Sequence, residues 1–245
     1  IFNRKKMKIE IIKCLQDNYS YLIINEETQI ACVVDPSEAA PIINFLNNKK
    51  ITLKYILNTH HHYDHIGGNL ELKKRYNCNI LGFKGDKDRI PGIDILLNDN
   101  QIWKKDNFEA KIYHIPGHTS GHIAFHFFKD KKIFTGDTLF SLGCGRLFEG
   151  TYEQMFNSLD KIKKLPAETE IYCGHEYTLQ NSNFCIAHDP NNSKLRKKIL
   201  EIKNKLKNNL PTLPSTLNDE FECNIFLKAK DIKSFSKLRY LKDNF

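Results

Sequence analysis

The chain has 245 residues, 40% apolar and 27% charged, with a formal net charge of +8. That composition is ordinary for a globular protein long enough to bury a sizeable core, and no apolar run approaches the roughly 18–20 residues of a spanning helix. The lysines are spread along the chain rather than gathered with aromatics into a patch, which argues against a nucleic-acid surface and leaves room for an anionic small substrate.

Ile1 to Lys6 precede Met7. They are set aside as an appended stretch or the remnant of a basic extension. Lys8–Cys14 and Tyr19–Asn25 alternate or run apolar and predict strands, and Ile30–Val34 is a β-branched run stopped by Asp35-Pro36. Ser37–Asn48 predicts a helix, with Ser37 as its cap and Ile42, Ile43, Phe45 and Leu46 as its apolar face. Lys54–His60 predicts a strand that runs directly into a histidine cluster, and Gly68–Asn77 a helix after it. Further strands are predicted at Asn79–Phe83, Phe108–Ile115, His122–Phe128, Lys131–Asp137 and Glu170–Glu176. Between the last two, Thr151–Leu165 predicts a helix. It carries a Thr151/Gln154 capping box and apolar residues at Met155, Phe156, Leu159, Ile162 and Leu165. Beyond residue 180 only Ser193–Leu210 and Asp231–Asp243 show a clear pattern, both helical, separated by a Pro-bearing stretch. The expected organisation is an α/β domain over 7–178 followed by a small helical unit over 179–245. The seven cysteines are odd in number and form no Cys-x-x-Cys pair, so a reducing compartment fits better than a disulfide framework.

The chemistry gathers at "THHHYDHIGG", Thr59–Gly68. His60, His62, Asp64 and His65 form His-x-His-x-Asp-His. Residues two apart on an extended segment point the same way, so His60 and His62 can hold one ion. A turn at Gly67-Gly68 would bring Asp64 and His65 to a second. Imidazole and carboxylate suit zinc, iron or manganese. Three later strands each end in a Gly-ligand pair: Gly117-His118, Gly136-Asp137 and Gly174-His175. Glycine there lets the backbone turn its neighbour toward a site. His61 should point away from the ligands, His114 and His126 lie within strands, His122 can support a ligand, and His188 belongs to the surface.

These residues resemble the metallo-β-lactamase superfamily, with "THHHYDH" as its signature loop and His118, Asp137 and His175 in the remaining ligand slots. Within it the chain is similar to the glyoxalase II (hydroxyacylglutathione hydrolase) family through "DNYSYLI", "VVDP", "PGHTSGH", "FTGDTLF", "GCGRLFEGT", "YCGHEYT" and the terminal "LRYLKDNF", in order from Met7 onward. The resemblance implies a four-layer αββα sandwich with a small C-terminal helical domain. It implies two metal ions per chain, zinc first, with iron or manganese as alternatives. His60, His62 and His118 would hold one ion, Asp64, His65 and His175 the other, and Asp137 would bridge them. Arg146, Tyr177, Arg239 and Lys242 would bind glutathione. Arg239 and Lys242, three apart on a helix, share a face suited to a carboxylate. Two positions depart from the family pattern: Phe148 stands where a tyrosine is common, and Asn224-Ile225-Phe226 stands for Asn-Pro-Phe.

The implied reaction is hydrolysis of S-D-lactoylglutathione to glutathione and D-lactate, with Asp64 and Asp137 orienting the nucleophile and taking its proton. The implied protein is a cytoplasmic monomer without nucleic-acid or membrane partners, or an organellar one if Ile1 to Lys6 end a targeting segment. Three other readings stay open. A persulfide dioxygenase on the same scaffold would consume oxygen with glutathione persulfide. A nuclease would bind RNA in a salt-dependent way. A non-catalytic metal module would load metal and hydrolyse no thioester.

Overall fold

The computed structural model describes residues 7–47 and 49–245. The expectations for Ile1 to Lys6, and for Asn48 as a helix residue, lie outside the described residues. The chain forms two compact units, one running up to His114 and including Ile123–Asp130, the other made of Ile115–His122 and Lys131–Phe245.

In the first unit, β1 (Lys8–Cys14), β2 (Asn18–Asn25) and β3 (Ile30–Val34) are antiparallel neighbours. Helix α1 (Ala39–Leu46) crosses to β4 (Thr52–Leu57), which lies parallel to β3. The one-turn α2 (Tyr63–Ile66) and α3 (Asn69–Tyr76) cross to the parallel β5 (Asn79–Phe83), and β6 (Ile95–Leu97) completes the sheet. Ile42 and Leu46 of α1 and Leu72 of α3 pack on Val33, Leu53, Ile56 and Ile80 of the strands in one apolar cluster. The near-continuous apolar runs of β3 and β4 reflect that burial. Strands β7 (Ile102–Lys105), β8 (Phe108–His114) and β9 (Ile123–Phe127) pair antiparallel.

In the second unit, β10 (Lys132–Gly136) leads into a small ribbon of β11 (Leu139–Phe140) and β12 (Gly143–Cys144). Helix α4 (Tyr152–Lys163) carries the expected reciprocal Thr151/Gln154 box, and β13 (Glu170–Cys173) pairs parallel with β10. Then come α5 (Thr178–His188), α6 (Ser193–Lys207), β14 (Ser215–Thr216) antiparallel to β13, α7 (Leu217–Cys223) and α8 (Ile232–Asp243).

One expectation is corrected. Ser37 does not cap α1. The cap position is Glu38, which makes no side-chain cap bond, and the Ser37 N–H instead donates to Ser20 Oγ at 3.2 Å. All seven cysteines are buried thiols. Burial raises the pKa of Cys78 and Cys223 to about 11 and that of Cys185 to about 12, so these thiols stay protonated.

His126 on β9 is only 5% exposed. Burial, with the Lys111 charge second, depresses its pKa from 6.5 to about 4. The unfolded chain therefore binds the extra proton first as pH falls. The stability tied to the neutral ring is complete above pH 6.5 and is lost on the way down to pH 4. Between pH 7 and pH 5 the wild type should lose about 2 kcal/mol more than His126→Phe. Urea unfolding at both pH values reads this directly, and equal losses would refute it.

Candidate metal centre

The carboxyl end of a parallel strand is where an open α/β sheet presents its loops. β4 ends at Leu57 and delivers Asn58, Thr59 and His60 there, and the three are fully buried. Asp35, at the end of the neighbouring β3, organises this segment. Its carboxylate accepts from the Thr59 N–H at 2.8 Å, the Thr59 hydroxyl at 2.6 Å and His65 Nδ1 at 3.0 Å. With its hydroxyl hydrogen spent on Asp35, Thr59 Oγ1 accepts from His60 Nδ1 at 3.0 Å. Both rings thus carry their proton on Nδ1 and present the Nε2 lone pair, the state a metal ligand needs.

The chain then turns through α2, and His65 sits inside that helical turn. This corrects the expectation that Gly67-Gly68 makes the turn. The glycines serve close approach instead: a Cβ at Gly67 would lie 2.4 Å from the Ser37 carbonyl oxygen, and one at Gly68 would lie 2.8 Å from the Ala39 nitrogen. Asn58 Nδ2 holds the His65 carbonyl at 3.2 Å and pairs with Asn69. Asn18 Nδ2 donates to Asp64 Oδ2 at 3.0 Å. The His60 ring lies 4.8 Å from His62 and 4.1 Å from His65, centroid to centroid.

The second unit brings His118, Asp137 and His175 together. Asp137 follows Gly136, whose φ of 47° lets the backbone turn sharply off β10. Gly117 also has a positive φ, of 150°, whereas Gly174 is not among the positive-φ glycines, so the glycine rationale holds at two of the three strand ends. His118 Nδ1 donates to the Arg146 carbonyl at 2.8 Å. A carbonyl only accepts, so this ring too presents Nε2. Asp137 Oδ2 stands 3.5 Å from His118 Nε2 and 3.3 Å from His175 Nε2. In the first unit Asp64 Oδ2 stands 3.5 Å from His65 Nε2.

These spacings test whether the groups suit a metal. A charge-assisted hydrogen bond would close to about 2.7–2.9 Å. Two ligands each about 2.0–2.1 Å from one tetrahedral ion stand about 3.3–3.4 Å apart. The observed separations match the second geometry, and the donors are imidazole and carboxylate. The His/Asp groups therefore have the donors and spacings that suit metal ions.

Beside the second cluster, Tyr177 stacks on His175 at 4.7 Å and 7°, and Phe148, 62% exposed, meets the His118 ring edge-on at 5.2 Å. Arg146 is exposed, and its Nε lies 3.4 Å from Asp243 Oδ1. Arg239 is only 4% exposed. Its guanidinium donates to the Cys144 carbonyl at 2.6 Å and to Asp243 Oδ1 at 2.8 and 3.1 Å. The Lys242 ammonium lies 5.4 and 5.5 Å from the rings of Phe184 and Phe245. Burial, then the charge of Arg239, lowers its pKa.

The remaining histidines have other tasks. His61 faces Asp86 at 3.4 Å, and His114 stacks on Phe83. His188 bonds the Phe184 carbonyl. His122 Nε2 accepts from the Asp137 N–H at 3.0 Å. Asp35 and Asn18 were not singled out by sequence reasoning. The signal for Asp35 was a carboxylate closing an apolar strand ahead of proline, and that for Asn18 was its place in the "DNYSYLI" stretch.

The metallo-beta-lactamase superfamily model matches residues 16–175, and the hydroxyacylglutathione hydrolase C-terminus model matches 176–245. The chain is 65% identical to a hydroxyacylglutathione hydrolase of Pelagibacter ubique, across 98% of this chain and 100% of that one. It is 41% identical to one of Methylococcus capsulatus, across 98% and 99%. The crystal structure of the B3 metallo-beta-lactamase BLEG-1 superposes with a TM-score of 0.70 at 22% identity, covering 90% of this chain and 99% of that one. That last likeness carries the fold alone, an α/β sandwich with a helical C-terminal part. The chain belongs to the hydroxyacylglutathione hydrolase family of the metallo-beta-lactamase superfamily.

Proposed function

We propose that the chain is a thioester hydrolase that cleaves S-D-lactoylglutathione to glutathione and D-lactate. The observation that carries this reading is the Nδ1-fixed histidine set with its carboxylates, in a chain of this family. His60, His62 and His118 would hold one metal ion and Asp64, His65 and His175 a second, with Asp137 shared. Zinc is the expected ion, with iron or manganese as alternatives that imidazole and carboxylate donors also suit. Bound metal supplies Lewis-acid polarisation of the carbonyl and a nucleophile from water at neutral pH.

The chain's own groups do the rest. Asp35, Thr59 and the Arg146 carbonyl keep three imidazoles in one tautomer. The Asp64 and Asp137 carboxylates orient the nucleophile and accept its proton as the tetrahedral carbon collapses. The leaving thiolate is stable enough to depart without a dedicated acid. Arg146, Tyr177 and Lys242 hold the glutathione part, with Arg239 bound to the Cys144 carbonyl and to Asp243, supplying proximity rather than chemistry. Buried, reduced thiols suit a cytoplasmic setting.

The test is thioester hydrolysis before and after chelation. Turnover should vanish with chelator and return with added zinc. No turnover in protein shown to hold two metal ions would sink the reading.

A further inference from the structure

Residues Phe140–Cys144 connect Asp137 to Arg146. Every carbonyl in this run is received by a side chain from the C-terminal helices. Asn224 Nδ2 donates to the Phe140 carbonyl at 3.5 Å and the Gly143 carbonyl at 3.2 Å. Asn181 Nδ2 donates to that of Ser141 at 3.1 Å, Cys185 Sγ to that of Leu142 at 3.1 Å, and Arg239 to that of Cys144 at 2.6 Å. The Leu142 N–H donates to Glu220 Oε2 at 2.8 Å, and Asn224 Nδ2 also donates to that oxygen at 2.9 Å. Glu220 and Asn224 are each 0% exposed. The run needs such anchoring, because Leu142 has a φ of 59°, a left-handed conformation that bulky side chains rarely adopt.

What the run carries is more telling. Phe140 packs edge-on against His175 and Tyr177, at 6.0 and 5.3 Å. Gly145 lies so close to Asp137 that a Cβ would meet its carbonyl oxygen at 1.9 Å. Arg146 then turns its carbonyl onto His118 Nδ1 at 2.8 Å. One short segment therefore touches all three ligand candidates of this unit.

We infer that Glu220 and Asn224 are positioning residues for the metal centre: through the backbone of Phe140–Arg146 they set the tautomer of His118 and the seats of Asp137 and His175. The helical C-terminal part thereby shapes the metal ligands as well as the substrate pocket. Glu220 is a buried carboxylate whose burial raises its pKa, and its Oε2 accepts from a backbone N–H and from an amide. Asn224 is the pivot, since one amide group braces two carbonyls and Glu220 together.

The inference rests on the thioesterase reading for its activity readout, but its metal readout does not. Zinc affinity, measured by competition with a chromophoric chelator, should fall about 10–100-fold in Asn224→Ala and about 3–10-fold in Glu220→Gln. In both, kcat should drop more than KM rises. Thr216→Ala is the control. It removes the α7 cap bond to the Asp219 N–H, at 3.2 Å, without touching the run. It should lower Tm while leaving zinc affinity and kcat at wild-type values. If Asn224→Ala fails to fold, the shape-conserving Glu220→Gln decides. Wild-type zinc affinity in the folded variants would overturn the inference, as would equal losses in Thr216→Ala at matched Tm. If no protein turns over thioester but the affinities follow this order, the positioning role stands and the substrate reading falls.

Discussion

Replacing Asp137 by alanine should lower kcat/KM for S-D-lactoylglutathione by at least ~10³-fold, about 4 kcal/mol of transition-state stabilisation, and reduce bound metal from two ions per chain toward one. The size follows from placement. Asp137 Oδ2 lies near both His118 Nε2 and His175 Nε2, at 3.5 and 3.3 Å. In the proposed scheme those histidines serve different ions, so the same carboxylate joins two ligand sets and takes the proton of the nucleophile. Its backbone is fixed as well, by the turn at Gly136 and by His122 on its N–H. Asp137→Asn keeps an oxygen donor but not the charge, and should fall between wild type and alanine in both metal content and rate. Metal analysis and kinetics on the same preparations check this. An alanine variant with full metal and full turnover would end the scheme.

Where a feature is local, the sequence showed it. Helix α4 was legible because its cap box and apolar spacing lie within one stretch. Strands β2 to β5 of the first sheet were legible as apolar, largely buried runs and β1 as an alternating one, whereas β6, three residues long, was not read at all. Helix α5 was not, because it starts directly after Tyr177 without a side-chain cap and buries Asn181 and Ser182 among its core-facing residues. Strands β7 and β14 are too short to show a period. Ligand candidates were legible as rare residue types at strand ends. Asp35 was not, because its task depends on the parallel pairing of β3 with β4, which sets it beside Thr59, 24 residues away. The role of Asn224 was hidden for the same reason: its partners Phe140 and Gly143 lie 84 and 81 residues away.

The two cations of the terminal helix should separate when each is changed to alanine, although helical spacing alone makes them look like a matched pair. Arg239 is buried at 4% exposure with its donors spent on Cys144 and Asp243, and it lies 5.3 Å over the Phe226 ring. Removing it leaves the buried Cys144 carbonyl without that donor and strips two donors from Asp243, which keeps its Arg146 contact, and should cost about 2–4 kcal/mol. In a chain of this size that lowers Tm by roughly 5–15 °C. Because Cys144 belongs to the run that seats His118, kcat should fall along with the rise in KM. Lys242 is half-buried over two aromatic rings, with a lowered pKa. Its alanine variant should keep Tm and kcat and raise KM about tenfold, the loss of one charge-assisted contact to a carboxylate. A thioester shortened to lack the terminal carboxylate separates the two roles further. The Lys242 penalty should vanish with it, and the Arg239 penalty should persist. If Arg239→Ala instead leaves Tm untouched and its penalty disappears with the shortened substrate, the guanidinium binds substrate directly and its buried bonds are dispensable.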